Sequence, residues 1–263
     1  GSDDGLVHVT RDGGTTWTNV TPVDMPDFGR VSQIDASAFN AGRAYVSVRR
    51  PLLDDQAPYI WKTDDYGESW TRIVTGLRDD AYVHAVREDP VREGLLYAAT
   101  QHGVYVSFDD GALWRELNPG LPDLPVVDLI VEEDELVITS HGRSFWILDN
   151  IAPLRQATPG LTDEPIVLFD PAPGYRSSDG LNLAWWFSAA PSEARLDIID
   201  SSGEVLRTYE PAIEGEPRDR WQGPALPIEP GLNRLNWDLR TKPAVTFPGM
   251  ILWGVRTMSP SVP

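Results

Sequence analysis

The sequence predicts an all-β chain: a partial β-propeller followed by part of an immunoglobulin-like β-sandwich. Three observations carry this. A turn signature recurs, at "TRDGGTTW", "TDDYGESW" and "SFDDGALW". Short runs of β-branched and aromatic residues alternate with turn residues around those signatures. No stretch holds a sustained helical period.

The three signatures share one pattern: Ser/Thr, any residue, Asp, any residue, Gly, two residues, Trp. They comprise Thr10, Asp12, Gly14 and Trp17; Thr63, Asp65, Gly67 and Trp70; and Ser107, Asp109, Gly111 and Trp114. The aspartates are 53 and 44 residues apart. One turn per roughly 40–50 residues marks a propeller or similar array of supersecondary units. An Asp side chain accepts hydrogen bonds from nearby backbone N–H groups and closes a turn. Glycine supplies a positive φ. The Trp opens the next strand and buries its ring between neighbouring sheets. Three copies of one acid suit a structural role better than a catalytic one.

Taken in order, the chain opens with one strand, "GLVHVT", before Asp12. Four follow between the first and second turns: "VSQIDASAF", "AYVSVRR", "YIWKT" and "SWTRIV". The next unit reads "YVHAVRED", "LLYAAT", "GVYVSF" and "LWREL". The last offers only "VVDLIVEE", "ELVITS" and "SFWILD". Two full and two partial blades are too few to close a ring, which takes four to eight. The chain is therefore expected to be an open arc from a longer protein, with upstream blades of the same chain as partners. Alone, it is expected to associate through bare sheet faces.

Domain boundaries are expected at 1–150 for the propeller part, 151–173 for a Pro- and Gly-rich linker, and 174–263 for an incomplete sandwich. Within the last, "LNLAWWFSAA", "ARLDIID", "SSGEVLRTYE" and "GLNRLNWDLR" alternate apolar and polar residues, and "DSSGE" suits a hairpin turn. Adjacent Trp185 and Trp186 face opposite sides of a strand. One belongs to the core, and the other is free to stack on a sugar or partner.

The formal net charge is −18. Residues 1–150 hold 12 Lys+Arg against 26 Asp+Glu, so the acidity lies mainly there. This argues against nucleic acid, whose phosphates require a basic face. No apolar run has the roughly 20 residues a membrane span needs. The absence of cysteine excludes disulfides and thiolate chemistry. No cofactor and no metal are expected. His8, His84, His102 and His141 are scattered without ligand spacing, and neither Asp54–Asp55 nor the run Glu132 to Glu135 matches a known calcium loop.

The turn pattern is that of the Asp-box, or bacterial neuraminidase repeat, known from sialidases, sortilin-type propellers and some xyloglucanases. "GSDDGLVHVTRDGGTTWTNVTP", "PYIWKTDDYGESWTRI", "VREDPVREGLLYAATQHGVYVSFDDGALW" and "SHGRSFWILDN" resemble a large bacterial group of exported sortilin-like or glycosyl-hydrolase-like repeat proteins. "GEVLRTYE" and "GLNRLNWDLR" resemble the immunoglobulin-like module that follows the propeller there, which is similar to one in flagellar hook-capping proteins. The resemblance implies the C-terminal part of such a protein, in an extracytoplasmic location. It implies binding of a glycan or protein ligand, glycoside hydrolysis completed by upstream blades, or a structural role.

No catalytic residue can be assigned among 40 acidic side chains. A sialidase-type site needs an arginine cluster gripping a carboxylate. Arg30, Arg87 and Arg143 stand near comparable places in successive units. Arg49 and Arg50 open "RRPLLDDQAP", which lengthens one loop, and loops on rigid scaffolds often bind ligands. These five arginines are the candidate ligand contacts, against the alternative of solvated or edge-capping side chains.

Overall fold

A computed structural model describes residues 1–117, 120–158, 160–172, 180–213, 215 and 223–242. The chain divides into two compact units, Gly1–Ile151 and Ala152–Pro263. Among the described residues no helix is long and apolar enough to cross a membrane.

The first unit is a run of antiparallel sheets. Strands β1 (His8–Val9) and β2 (Thr18–Asn19) form a short hairpin. A four-stranded sheet follows in chain order: β3 (Arg30–Ala36), β4 (Ala44–Arg50), β5 (Asp55–Thr63) and β6 (Thr71–Arg72). The next four-stranded sheet is β7 (Val83–Glu88), β8 (Leu96–Thr100), β9 (Gly103–Ser107) and β10 (Arg115–Leu117). A three-stranded sheet closes the unit: β11 (Val126–Glu132), β12 (Glu135–Ser140) and β13 (Phe145–Leu148). β3 and β4 pack on β7, and β11 packs on β7 and β8. Successive small sheets stacked in this way are propeller blades, here with two, four, four and three strands.

Burial follows from that stacking. β8 and β9 are buried along their whole length, because the sheet they belong to is covered on both faces. Ala98 and Ala99 keep its middle thin. Between the two four-stranded sheets lies a core of Tyr45, Ile60, Ile73, Leu77, Val83, Val86, Leu96, Ala98, Tyr105 and Trp114. The first hairpin packs on the next sheet through Val7, Val46, Val48 and Trp61, with Val20 and Trp70 alongside. The outer face of the last sheet carries Ile130, Phe145 and Ile147 to solvent.

The three turns share one geometry. The hydroxyls of Thr10, Thr63 and Ser107 donate to Oδ1 of Asp12, Asp65 and Asp109 at 2.9, 2.8 and 2.7 Å. Each hydroxyl accepts the N–H of Gly14, Gly67 or Gly111 at 2.8, 2.9 and 2.9 Å. Each Oδ1 also accepts the N–H of Thr16, Ser69 or Leu113, at 2.9 Å in every case. These bonds favour the ionised carboxylate. The Thr16 N–H holds Asp12 down to about 2, and the Ser69 hydroxyl does the same for Asp65.

The tryptophans tie one sheet to the one before. Trp70 Nε1 donates to the Val20 carbonyl at 2.6 Å, and Trp114 Nε1 to the Ile73 carbonyl at 2.8 Å. The turn glycines make room for the same residues. A Cβ on Gly67 would stand 2.7 Å from Val20, and one on Gly111 would stand 2.5 Å from Ile73. Both also have positive φ, 89° and 85°.

A polar weld joins the two four-stranded sheets near these turns. The buried Tyr45 hydroxyl donates to Asp110 at 2.7 Å and lies 3.2 Å from Glu88. Burial, and then Asp110, push its ionisation up. Lys62 bridges Asp110 and Asp64, and Arg43 bridges Asp64 and Glu93.

The second unit begins with a short helix, α1 (Ala152–Gln156), and a 3-10 turn, Leu161–Asp163. Strand β14 (Ile166–Leu168) then pairs with β15 (Leu181–Phe187), which pairs with β18 (Gly231–Trp237). β16 (Leu196–Ile199) and β17 (Val205–Tyr209) form a hairpin whose turn is held by Asp200 accepting from Ser202 and Glu204. Both sheets feed one core, with Leu183, Trp185, Phe187, Tyr209, Leu235 and Trp237. β14 lies within 151–173, the stretch expected as a linker; the run Ile-Val-Leu-Phe supplies enough β-forming surface to add an edge strand. Trp185 is in the core, and Trp186 is half-buried on the other side of β15, opposite Leu232.

Candidate functional site

The strands of each sheet have two ends. The Asp turns occupy one, since Thr63 at the end of β5 pairs with Ala44 at the start of β4. The other end brings together the start of each innermost strand and the end of its neighbour. Register identifies equivalent positions there. Arg30 pairs with Arg49. The N–H of Gln101 donates to the Tyr82 carbonyl at 3.0 Å, and that of His141 to the Pro125 carbonyl at 2.9 Å. Arg49, Gln101 and His141 are thus one position repeated in three sheets, with Arg30, Tyr82 and Pro125 opposite them.

Each innermost strand also bulges just inside this end, between Val31 and Gln33, Val83 and Ala85, and Val126 and Asp128. A bulge re-aims the extra side chain. In β7 that residue is His84, which is 8% exposed. Arg49 Nη1 donates to His84 Nδ1 at 2.7 Å. The acceptor role of Nδ1 requires the neutral imidazole. Burial and then the Arg49 charge hold His84 at about 4, with His141 acting in the same direction and the Gln101 side chain opposing. The Tyr82 ring lies 5.0 Å from the imidazole. Burial, followed by the charge of Arg30, lowers Arg49. Two guanidinium groups, Arg30 and Arg49, are thus brought close together on a strongly acidic chain.

The five candidate arginines therefore part company. Arg30 and Arg49 share this face, with Arg30 held at 3.0 Å by exposed Asp3. Arg50 pairs with Asp55 at 2.8 Å. Asp55 also accepts from Tyr59 and the Ala57 N–H, so it anchors the "RRPLLDDQAP" loop. Leu52 and Leu53 are exposed at the tip of that loop. Arg87 lies further along β7, bonded to the Leu129 carbonyl at 2.9 Å and to Asp35 at 3.2 Å. Arg143 is exposed in the β12–β13 turn, where its carbonyl accepts from Trp146. Arg30, Arg87 and Arg143 are not equivalent positions, because register and not residue spacing sets which side chains meet. Tyr82 and Gln101 escaped the sequence reading, which weighed His84 and His141 only as metal ligands. Their equivalence is visible only after the strands are aligned.

On the same ends, His102 bonds Asp123 at 2.9 Å and lies 3.8 Å from Asp80. The Arg78 side chain holds Asp80 below the usual carboxylate range. Glu132 to Glu135 form the β11–β12 hairpin. Among the described residues no group of three His, Asp or Glu side chains is placed to share a metal ion.

No protein-family model matches the chain, and no curated protein matches it in sequence. Solved structures similar to it include YCF48 from Cyanidioschyzon merolae, at 15% identity over 79% of this chain and 72% of that one, with a TM-score of 0.40. YCF48 bound to D1 peptide matches at 16% identity over 70% of both chains, with a TM-score of 0.36. The GH74 xyloglucanase from Xanthomonas campestris matches at 21% identity over 70% of this chain but only 30% of its own, with a TM-score of 0.44.

Proposed function

We propose that the chain is part of an exported β-propeller protein that binds a glycan or protein ligand, and that the face carrying Arg49, His84, Gln101 and His141 receives an anionic group of that ligand. The observation that carries this reading is Arg49. Several arginines of this unit, Arg43, Arg50, Arg78 and Arg87, are paired with carboxylates. Arg49 has no carboxylate partner among the described residues, and it spends one N–H on a neutral imidazole. A guanidinium with donors to spare is suited to bidentate recognition of a carboxylate. Gln101 and His141 supply further polar groups from the next two sheets, and Leu52 and Leu53 offer apolar contact beside Arg50.

The test is binding of the purified chain to paired neutral and acidic glycans and to acidic peptides. Acidic members are expected to be retained. Arg49→Met is expected to weaken them about tenfold or more, in line with loss of a charged hydrogen bond. Retention of neutral members only, or equal binding by the variant, would overturn the reading.

A second reading, glycoside hydrolysis, draws on Asp80 and Asp123 flanking His102 on the same face. Glycosidases place two carboxyl groups across the scissile bond and keep one protonated as the acid. Asp80 is held on the acidic side by Arg78, which suits the ionised member of such a pair and not the acid. The binding reading stands first because it rests on the geometry of Arg49.

A further inference from the structure

The Arg49 face holds one contact whose chemistry changes with a single proton. Arg49 lies on β4 and His84 on β7, in the two four-stranded sheets. The bulge that carries His84 is tied to β4 by Ser47, whose buried hydroxyl donates to the His84 carbonyl at 3.3 Å. Ser47 and Arg49, two residues apart on one strand, thus both bond His84, one at its backbone and one at its ring. The Tyr82 ring packs against the imidazole at 5.0 Å. The imidazole is therefore held between its own sheet and β4, with little of it open to water.

With the ring neutral, the pair is donor and acceptor. Nδ1 receives the Arg49 N–H at 2.7 Å, which leaves the ring proton on Nε2. Nε2 is buried and makes no hydrogen bond of good geometry, although the Gln101 side chain favours the charged ring. A proton on Nδ1 abolishes the bond to Arg49, because two N–H groups cannot bond each other. The same two side chains then become two donors side by side. The groups around His84 are Arg49 and, beside it, Arg30 from the first four-stranded sheet; Tyr82 and Gln101 from its own; and His141 from the last. None of these is a carboxylate. Asp3, the partner of Arg30, is exposed. Without an anion, burial and then the Arg49 charge oppose protonation and hold His84 at about 4.

We infer that Arg49 and His84 form a proton-operated clamp: the anionic group received by this face binds together with a proton on His84 Nδ1, its oxygens accepting from both the guanidinium and the imidazolium. The inference rests on the reading of this face as an anion receptor and adds the regulation of that site by pH. An anionic oxygen satisfies both donors at once, through charge-assisted bonds. An opposite charge within about 4–6 Å also raises the pKa of the ring, by about one to three. Coupling between two bound species is reciprocal, so an anion that favours the proton is itself bound more tightly when the proton is present. From pH 7 to pH 5 the free ring stays mostly neutral, while the ring beside an anion becomes charged. Affinity therefore rises across that range. The ligand group is one that stays ionised in mild acid, such as a carboxylate or a sulfate.

The experiment uses the whole chain with inorganic sulfate as the probe, because sulfate stays a dianion from pH 7 to pH 5 and cannot itself carry the proton. Calorimetric titration at constant ionic strength is expected to show about tenfold tighter binding at pH 5 than at pH 7. Repeated at pH 5 in two buffers of different ionisation heat, it is expected to show uptake of about one proton per ion. His84→Gln keeps a polar side chain but cannot take the proton, and is expected to lose both the tightening and the uptake. His141→Gln is expected to keep both. Equal affinity at the two pH values with no proton uptake would overturn the clamp and leave Arg49 an anion receptor. Uptake that survives in His84→Gln and is lost in His141→Gln would overturn it by assigning the proton elsewhere. Sulfate binding at neither pH would overturn both the clamp and the reading of the face on which it rests.

Discussion

Two interfaces between successive sheets of the same unit end in opposite states. Between the two four-stranded sheets, Trp114 is 2% exposed and its N–H is bonded to Ile73. Between the third sheet and the last, Val104, Leu117, Leu121, Leu136, Ile138 and Trp146 line an open cleft of about 90 Å³. A third case lies at the other end of the unit: Trp17 belongs to a complete Asp turn yet is 59% exposed. The turn and its tryptophan are thus separable. The turn closes on local hydrogen bonds whether or not a neighbour exists, while the tryptophan contributes to stability only where a preceding sheet receives it.

The largest effect expected from this contrast is at the tryptophans. Trp114→Ala removes a buried ring and leaves a cavity, which costs about 3–5 kcal/mol. Trp17→Ala removes an exposed ring and should stay within about 0.5 kcal/mol. Denaturant unfolding of the two variants measures the difference. Equal losses would mean that the turn, and not the inter-sheet contact, is what tryptophan stabilises.

The turn glycines come next. Gly14 and Gly111 have similar φ, 93° and 85°, so alanine strains both backbones alike. Their surroundings differ. A Cβ on Gly111 meets Ile73 at 2.5 Å, whereas on Gly14 it meets only its own Trp17, at 4.0 Å. Gly111→Ala is expected to cost about 2–4 kcal/mol and Gly14→Ala about 1 kcal/mol, from strain plus overpacking in the first case and strain alone in the second. Thermal melts of both variants would show whether inter-sheet fit adds to the demand for positive φ.

The polar weld gives a third comparison. Tyr45→Phe keeps the ring but strands Asp110 and the buried Glu88 without their hydroxyl donor. The expected cost is about 1–3 kcal/mol. The same measurement on Tyr105→Phe, whose ring lies in the same core but whose hydroxyl meets the Arg78 backbone in place of carboxylates, should give less. Equal losses would show that the ring environment, and not the weld, sets the effect.

How much of this was legible in the sequence follows from what kind of interaction carries it. The blade count was legible, because Asp turns and strand periods are local. The strand Ile166–Leu168 was not, since a three-residue edge strand between Pro165 and Pro171 looks like a linker until β15 pairs with it. The Arg49 face was half legible. Arg30 and Arg49 stood out as charges, but Gln101 and His141 share no residue type with Arg49. The inserted loop around Pro51–Leu53 also displaces Arg49 from the spacing that would align it with Gln101. His84 reaches the face through a bulge, and a bulge shifts the strict alternation by which strand faces are read.

The smallest expected effect concerns that bulge and separates the same two interfaces by pH. His84 occupies the extra position in β7, against β4, while the last sheet has Val127 at the equivalent place. The groups facing His84 are Arg49, Tyr82, Gln101 and His141, with Arg30 beside Arg49. Nothing among them offers a negative charge to an imidazolium. The folded pKa is about 4 against an ordinary 6.5. Between those values the unfolded chain binds more protons than the folded one, so stability is fully present above pH 6.5 and falls as the pH drops toward 4. With Arg49 partly solvated, the loss from this group is expected to be about 1–2 kcal/mol between pH 7 and pH 5. His84→Gln cannot take up the proton and should flatten that part of the profile, leaving the carboxylate-driven loss below pH 4, where Asp12 and Asp65 protonate only as the pH nears 2. Denaturant unfolding at pH 7, 6 and 5 for both proteins decides it. Parallel profiles would mean that His84 is charged in the folded chain, and that Arg49 is not the donor to its Nδ1.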